Sequence, residues 1–476
     1  MDAETFRVHG HRLIDWIANF FDTIEQYPVL ARVKPGDIAH RIPDHAPARG
    51  EHFEDIFDDF EKLLLPGVTH WNHPGFFAYF ATSGSGPGVL AELLTAALNA
   101  QAMLWRTGPA ATELEEVALS WLRELMGLPS SFEGVIYDTA SVSSLHALTA
   151  ARQVAVPGIR DRGLAGRSDI SPLRVYCSNE AHSSIEKAVM LLGLGRQATV
   201  KIDTDNELRM LPGALSAAIQ KDRSAGLTPM AVVATVGSTS TTSIDPVDAI
   251  ADICAAERIW LHVDAAYAGV AAMLPELRHI LKGVDRADSL VVNPHKWLFT
   301  PLDLSALYCH RMDVVRDAFS LVPTYLQTGE APAVKNLMDT GIQLGRRFRA
   351  LKLWMIMRFF GADGLQARLA EHIRIAQLFA GWVDASDQFQ RMAPAPFSVV
   401  CFRAVPPGAS DLETDALNQR LMDQVNAGGE IFISHTKVRE RFTLRLAVGN
   451  IRTTERHVRR AWEIFNTELS RLLPAG

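Results

Sequence analysis

Between positions 4 and 26, Phe6, Leu13, Ile14, Ile17, Phe20 and Phe21 recur at helical spacing, which predicts an amphipathic helix. A second such helix is predicted over 53–65. Neither has a local apolar segment to cover its face, so a second subunit is the expected cover. Between 174 and 310 the pattern changes. Short apolar or β-branched runs at 174–178, 200–202, 230–236, 259–263, 289–292 and 306–309 alternate with helical stretches, which predicts a mostly parallel sheet covered on both faces. Ligands of such sheets gather beyond the carboxyl ends of the strands. Polar residues stand after four of these runs: His182, the 237–240 segment, Asp264 and the 293–296 segment. Further on, a helix over 345–360, candidate strands at 397–402 and 443–447 and long helices at 364–384 and 454–473 describe a smaller α+β unit. The tract 322–341 has weak periodicity and is expected to be a mobile loop.

With 476 residues, 48% of them hydrophobic, the chain can bury cores for two or three domains. The formal charge of −7 comes from interspersed residues with no long run of one sign, which argues against nucleic acid as a partner. Four widely spaced cysteines without a CxxC pair indicate neither a disulfide framework nor a metal site. The first residues lack a basic start followed by an apolar core, and no apolar run approaches the roughly 18 residues of a membrane span. A soluble, cytoplasmic protein without a membrane partner is therefore expected.

Three segments carry candidate chemistry. Lys296, in NPHKW, directly follows a buried strand and a proline turn. Alone, such a lysine is more often solvated than catalytic, but one kept near neutral by burial can bond an aldehyde. Asp264 ends the apolar strand of WLHVDAAY and precedes small residues that let a flat ring approach. The plain reading is a helix cap; the functional one is a carboxylate paired with a protonated ring nitrogen. The hydroxyl-rich TASVSS at 139–144 opens a helix whose amides could hold a phosphate, although such caps are common and the GxxxxGK pattern is absent.

Seven ordered stretches now resemble one family: NHPGFFAYF at 72–80, TELE at 112–115, AHSSIE at 181–186, WLHVDAAYAG at 260–269, NPHKW at 293–297, PTYL at 323–326 and LGRRFR at 344–349. Over nearly its whole length the chain is similar to the group II pyridoxal-phosphate decarboxylases, particularly the aromatic L-amino-acid decarboxylases. The resemblance implies an α/β, fold type I (aspartate-aminotransferase-like) enzyme with a helical dimerisation segment over 1–70, a large cofactor domain over 71–350 and a small α+β domain over 351–476. It also implies a homodimer with the active site at the subunit interface and pyridoxal 5'-phosphate as cofactor. Lys296 becomes the lysine that bonds the cofactor, Asp264 the partner of its ring nitrogen and His182 the imidazole stacked on the ring. Ala140, Ser141, Asn293 and His295 are implied at the phosphate, and Thr239 and Ala266 at the ring. Trp71, Tyr79, Phe80 and Thr82 are implied to line the substrate pocket, joined by Met103 from a partner-subunit loop around 101–105. Without the family, Trp71, Tyr79 and Phe80 would simply read as core.

Three departures bear on this expectation. Gln101 and Met103 stand where the family has apolar or aromatic residues. Asp138 replaces a small residue beside the phosphate-binding hydroxyls, where its charge would repel phosphate unless it turns away, meets a cation or caps the helix. The tract 327–343 lacks the tyrosine that returns a proton to the substrate α-carbon, with Leu337 or Thr340 in its place. Decarboxylation to the amine is the first expectation. The alternative is a decarboxylation-dependent oxidative deaminase, an aromatic aldehyde synthase. An aminotransferase or lyase on the same fold and a non-catalytic scaffold are the remaining rivals. Tryptophan, tyrosine, phenylalanine, dihydroxyphenylalanine and histidine all remain open as substrates.

Overall fold

The computed structural model describes residues 1–321 and 334–473. Seven strands form the main sheet: β1 (Glu133–Tyr137), β2 (Leu173–Ser178), β3 (Thr199–Ile202), β4 (Thr228–Thr235), β5 (Trp260–Asp264), β6 (Ser289–Val292) and β7 (Ser305–Cys309), in the order β1-β7-β6-β5-β4-β2-β3. β3, β2, β4, β5 and β6 run parallel, whereas β7 is antiparallel to both of its neighbours. Every residue of β5, β6 and β7 is buried. That is why these strands read as continuous apolar runs: helices cover both faces of the sheet, and no face is left for an alternating polar residue.

Four further strands, β8 (Phe389–Arg391), β9 (Val399–Ala404), β10 (Ser434–Val438) and β11 (Arg441–Ala447), make an antiparallel sheet in the order β10-β11-β9-β8. Helices Asp411–Gly428 and Glu455–Leu472 pack on it through Leu417, Leu421, Phe465 and Leu469. Residues 75–77 are tied to it as well, because Phe77 N donates to Phe432 O and Phe432 N to Gly75 O. The segment leading to Trp71, Tyr79 and Phe80 is thereby held between the two sheets.

The expected helices over 345–360 and 364–384 are both present within Ala350–Asp384 and part at Gly361, whose φ of 64° and ψ of 175° are not helical. The first starts later than expected because residues 345–349 are pinned in place. Arg346 N donates to Gln101 Oε1, the Arg346 guanidinium bonds the carbonyls of Ala102 and Ile136, and its Nη2 pairs with Glu115 Oε1 at 2.7 Å. TELE and LGRRFR thus meet in one buried ion pair, both side chains at most 6% exposed. Removing one partner strands the other charge, so Arg346→Met is expected to destabilise the fold by about 3–5 kcal/mol in denaturant unfolding.

The N-terminal helix, Ala3–Thr23, rests Trp16 on Phe57 and Phe60 of the 53–64 helical stretch. Only His9 of that helix is buried, and Phe6 and Ile14 remain 61% and 41% exposed, so much of its apolar face is open in the single chain. Among the described residues no helix is long and apolar enough to cross a membrane, and no cluster of side chains fit for a metal ion occurs.

Of the tract expected to be mobile, residues 322–333, including all of PTYL, lie outside the described residues. The part from 334 is well anchored, which corrects the expectation there. Leu337–Thr340 forms a helical turn, Met338 N donates to Met103 O at 3.0 Å, and Tyr137 donates its hydroxyl to Thr340 O.

Candidate active site

The carboxyl ends of β4, β5 and β6 lie side by side, since Thr235 pairs with Asp264 and Asp264 with Val291. The loop after β4 turns at Gly237, whose φ is 85°; a Cβ there would come within 2.5 Å of Ala268 Cβ, so the close approach to the loop after β5 needs glycine. Asp264 ends β5 only 7% exposed. Its Oδ1 accepts from Ala266 N at 3.1 Å, and it joins no ion pair among the described residues. A buried carboxylate in this condition calls for a positive partner.

After β6 the chain turns so that Asn293 N donates to Ala266 O and Lys296 N to Asn293 O, which brings the lysine back over the end of β5. Burial lowers the Lys296 pKa, the Asp264 carboxylate opposes that shift, and the Arg445 guanidinium adds to it. Neutral amine, the nucleophilic form, is thereby favoured. Lys296 Nζ lies 5.2 Å from the centre of the Phe80 ring, and the Arg445 guanidinium lies 4.6 Å from the same centre. Phe80 stacks on Tyr267 at 3.8 Å and Tyr267 on Trp297 at 4.8 Å, giving the site a rigid aromatic floor.

His182 follows β2 and opens onto a cavity of about 630 Å³ whose wall includes Thr239, Ser240, Lys437 and Arg439. Its Nδ1 is 2.8 Å from Ser184 Oγ and accepts from Ser184 N at 3.2 Å. The surrounding protein lowers its pKa, Asp264 raises it, and Lys296 and Lys187 lower it further. His182, Asp264 and Lys296 therefore feel one another's charge, although they come from three strand ends.

TASVSS opens the helix Ala140–Ala155. Thr139 O accepts from Val142 N and Ser143 N, and the amides of Ala140 and Ser141, first in the helix, have no acceptor inside it. Ser144 Oγ meets His262 Nε2 at 3.0 Å and Ser143 Oγ meets Ser305 Oγ at 2.8 Å, which docks this helix start on β5 and β7. His262 is pushed down to about 4 by burial, so it is a neutral strut two residues before Asp264. His295 is similar: Nδ1 accepts from Leu304 N at 2.9 Å, Nε2 is 3.3 Å from Asn293 Nδ2, and burial holds its pKa at about 3. Asn293 Oδ1 and Thr235 Oγ1 are buried without a partner among the described residues.

Asp138 turns toward Gln343, whose Nε2 donates to its Oδ2 at 3.4 Å. It makes no helix cap, because the cap position is Thr139. Trp71 and Tyr79 stack on each other at 5.8 Å but are 38% and 54% exposed, so they are a wall rather than core. Thr82 is half-buried beyond Phe80. Met103 is not drawn into this group within one chain; it packs with Leu104 and Met338 in a separate apolar cluster.

Sequence reasoning missed Arg445, Tyr267, His262 and Ser184. Arg445 is 3% exposed on β11; its Nε donates to Ser240 O at 3.0 Å, Nη1 to Tyr79 O, and Nη2 is buried without a partner among the described residues. An arginine between Leu444 and Leu446 in an otherwise apolar strand is the signal that was available.

Residues 35–405 match the model of the pyridoxal-dependent decarboxylase conserved domain. Tryptophan decarboxylase 2 of Oryza sativa subsp. japonica is 40% identical over 99% of this chain and 96% of its own length. Phenylacetaldehyde synthase of Arabidopsis thaliana is 39% identical over 99% of this chain and 97% of its own. Among solved structures, Oryza sativa TDC with PLP and tryptamine superposes with a TM-score of 0.95 at 36% identity, covering 99% of both chains. A partly buried lysine and, among the described residues, a carboxylate without an ion-pair partner, helix-start amides without an acceptor in the helix and unpartnered Asn293 and Thr235 oxygens suit an aldehyde-bearing pyridine phosphate, and the chain belongs to the pyridoxal-dependent decarboxylase family.

Proposed function

We propose that this enzyme converts an aromatic L-amino acid to its amine and carbon dioxide, with Lys296 bonded to pyridoxal phosphate, Asp264 facing the ring nitrogen and His182 over the ring. The observation that carries the reading is the joining of a charge-disfavoured lysine to a carboxylate without a counter-cation across adjacent strand ends. When bound, pyridoxal phosphate supplies an aldehyde for amines and a protonated pyridine that withdraws electrons from the substrate α-carbon. The Ala140 and Ser141 amides, with Asn293 and His295, would hold the phosphate, while Thr239 and Ala266 would border the ring. The Asp264 carboxylate would lie beside the ring nitrogen, where its charge would favour the protonated ring.

Trp71, Tyr79, Phe80 and Thr82 offer a flat aromatic wall for the substrate side chain. Met103 joins that wall from a second protomer in our reading, which therefore includes a homodimer with the site at its interface; the open apolar face of the Ala3–Thr23 helix supports it. Arg445 Nη2 is a buried donor near Lys296 without a partner among the described residues, suited to hold the substrate carboxylate in one orientation. Arg445→Met is accordingly expected to raise KM by about ten- to hundredfold, the worth of a charge-assisted hydrogen bond; an unchanged KM would remove it from the site.

Reprotonation of the α-carbon falls to His182 Nε2, because Leu337 and Thr340 are buried and the Thr340 hydroxyl donates to Leu337 O. That same loss of an acid favours a second reading, in which oxygen and water are consumed and an aldehyde, ammonia and peroxide accompany the carbon dioxide. A panel of aromatic amino acids assayed for amine, aldehyde, carbon dioxide and oxygen uptake separates the two. Amine without oxygen uptake is expected; aldehyde with matching peroxide would install the second reading.

A further inference from the structure

We infer that Ser184 is a positioning residue whose hydroxyl lets His182 take up and release a proton without leaving its place over the site. This rests on the reading that His182 returns the proton to the substrate.

The argument begins with the two donors around one nitrogen. The Ser184 main-chain N–H lies 3.2 Å from His182 Nδ1 and can only donate. In the neutral ring Nδ1 is therefore the acceptor, and the hydrogen sits on Nε2. Once the ring is protonated, Nδ1 carries a hydrogen too, and the N–H bond is lost. The Ser184 hydroxyl, 2.8 Å from the same Nδ1, is the partner that serves both states: it donates to the neutral ring and, by rotating, accepts from the charged one. Its freedom is local. Ser184 is 4% exposed and begins the helix Ser184–Leu191, so its backbone is fixed while its hydroxyl turns. The segment before it is fixed as well, since Ala181 N donates to Ser178 O, Asn179 N to Ile202 O and Ile185 N to His182 O.

A ring held this way presents Nε2 outward. In the step served, the doubly protonated ring passes its Nε2 proton to the α-carbon whose bond to the carboxylate has broken, and the electron pair of that bond forms the new C–H bond; the ring left neutral keeps its Nδ1 hydrogen on Ser184 Oγ, and Nε2 regains a proton from water in the adjoining cavity. His182 is exposed to that cavity, which gives water access. Other charges face the ring: Asp264 from β5, Lys296 from the turn after β6, and Lys187 from its own helix. Glu180, Lys437, Arg439 and Glu440 line the same cavity. None of these is altered by a change at Ser184.

The test uses full-length protein with its histidines labelled at Cε1, with and without added cofactor, the His182 resonance being assigned by its absence in His182→Gln. In Ser184→Ala only the main-chain donor remains, so the imidazolium loses its acceptor and the His182 pKa should fall by about one unit. Ser184→Thr should titrate like the parent, and Ser184→Cys, which keeps the shape with a weak hydrogen-bonding group, should shift in the same direction as the alanine variant. In turnover, Ser184→Ala should lower kcat about tenfold with KM within twofold, and reduce the amine share of the product. An unshifted His182 titration in the alanine and cysteine variants would overturn the inference. A shifted titration with unchanged kcat, pH profile and product ratio would support Ser184 as the positioning group and overturn proton return by His182.

Discussion

Replacing Lys296 by alanine is expected to abolish the visible absorbance band that forms when pyridoxal phosphate is added, and to lower kcat by about 10³-fold or more. Two properties make this the largest effect. Burial and Arg445 lower the Lys296 pKa, which favours the neutral form needed to bond an aldehyde, and the turn after β6 delivers the amine to the end of β5. Among the described residues the other cation at the Phe80 ring is Arg445, whose guanidinium does not form such a bond at neutral pH. Absorbance titration with the cofactor reads the first effect and amine formation the second. A band of parental intensity in the variant would mean that another lysine holds the cofactor.

The second effect belongs to Asp264. Asp264→Asn preserves size and the bond from Ala266 N but removes the negative charge, so kcat should fall by about 10²- to 10³-fold while cofactor affinity falls less. The reason is that charge at residue 264 acts on electron withdrawal during the reaction, whereas the phosphate and the lysine bond provide most of the hold on the cofactor. The depressed Lys296 amine should respond too. Asp264 opposes the lowering of its pKa, so the variant's Lys296 pKa should fall further, moving the acid limb of cofactor capture to lower pH. Full turnover in Asp264→Asn would contradict the electron-withdrawal role.

Much of this site could be read along the chain because strand ends are local events. His182, Asp264 and Lys296 each follow or close a buried run, and the carboxyl edge of a parallel sheet is where ligand-binding side chains gather. His262 was equally legible in principle, since residues two apart in a strand share a face and it precedes Asp264 at that interval. Arg445 was not, because its meaning comes from Phe80 and Tyr79, some 366 positions away in the chain. The strand β1 escaped notice because Glu133 and Gly134 interrupt a short run at the sheet edge. The early helix predicted from residue 345 failed for a tertiary reason: the buried Arg346–Glu115 pair and the bonds to Gln101 and Ala102 hold that tract out of helical form. Met103 marks a different limit. Within one chain it belongs to a cluster with Leu104 and Met338, and its place at the substrate belongs to the homodimer we propose.

The most direct test of the account is to reduce the cofactor-loaded enzyme with borohydride, digest it with trypsin and map the pyridoxyl label by mass spectrometry. The label is expected on Lys296, within the peptide spanning residues 287–311. A label on any other lysine, or none after saturation with cofactor, would contradict it.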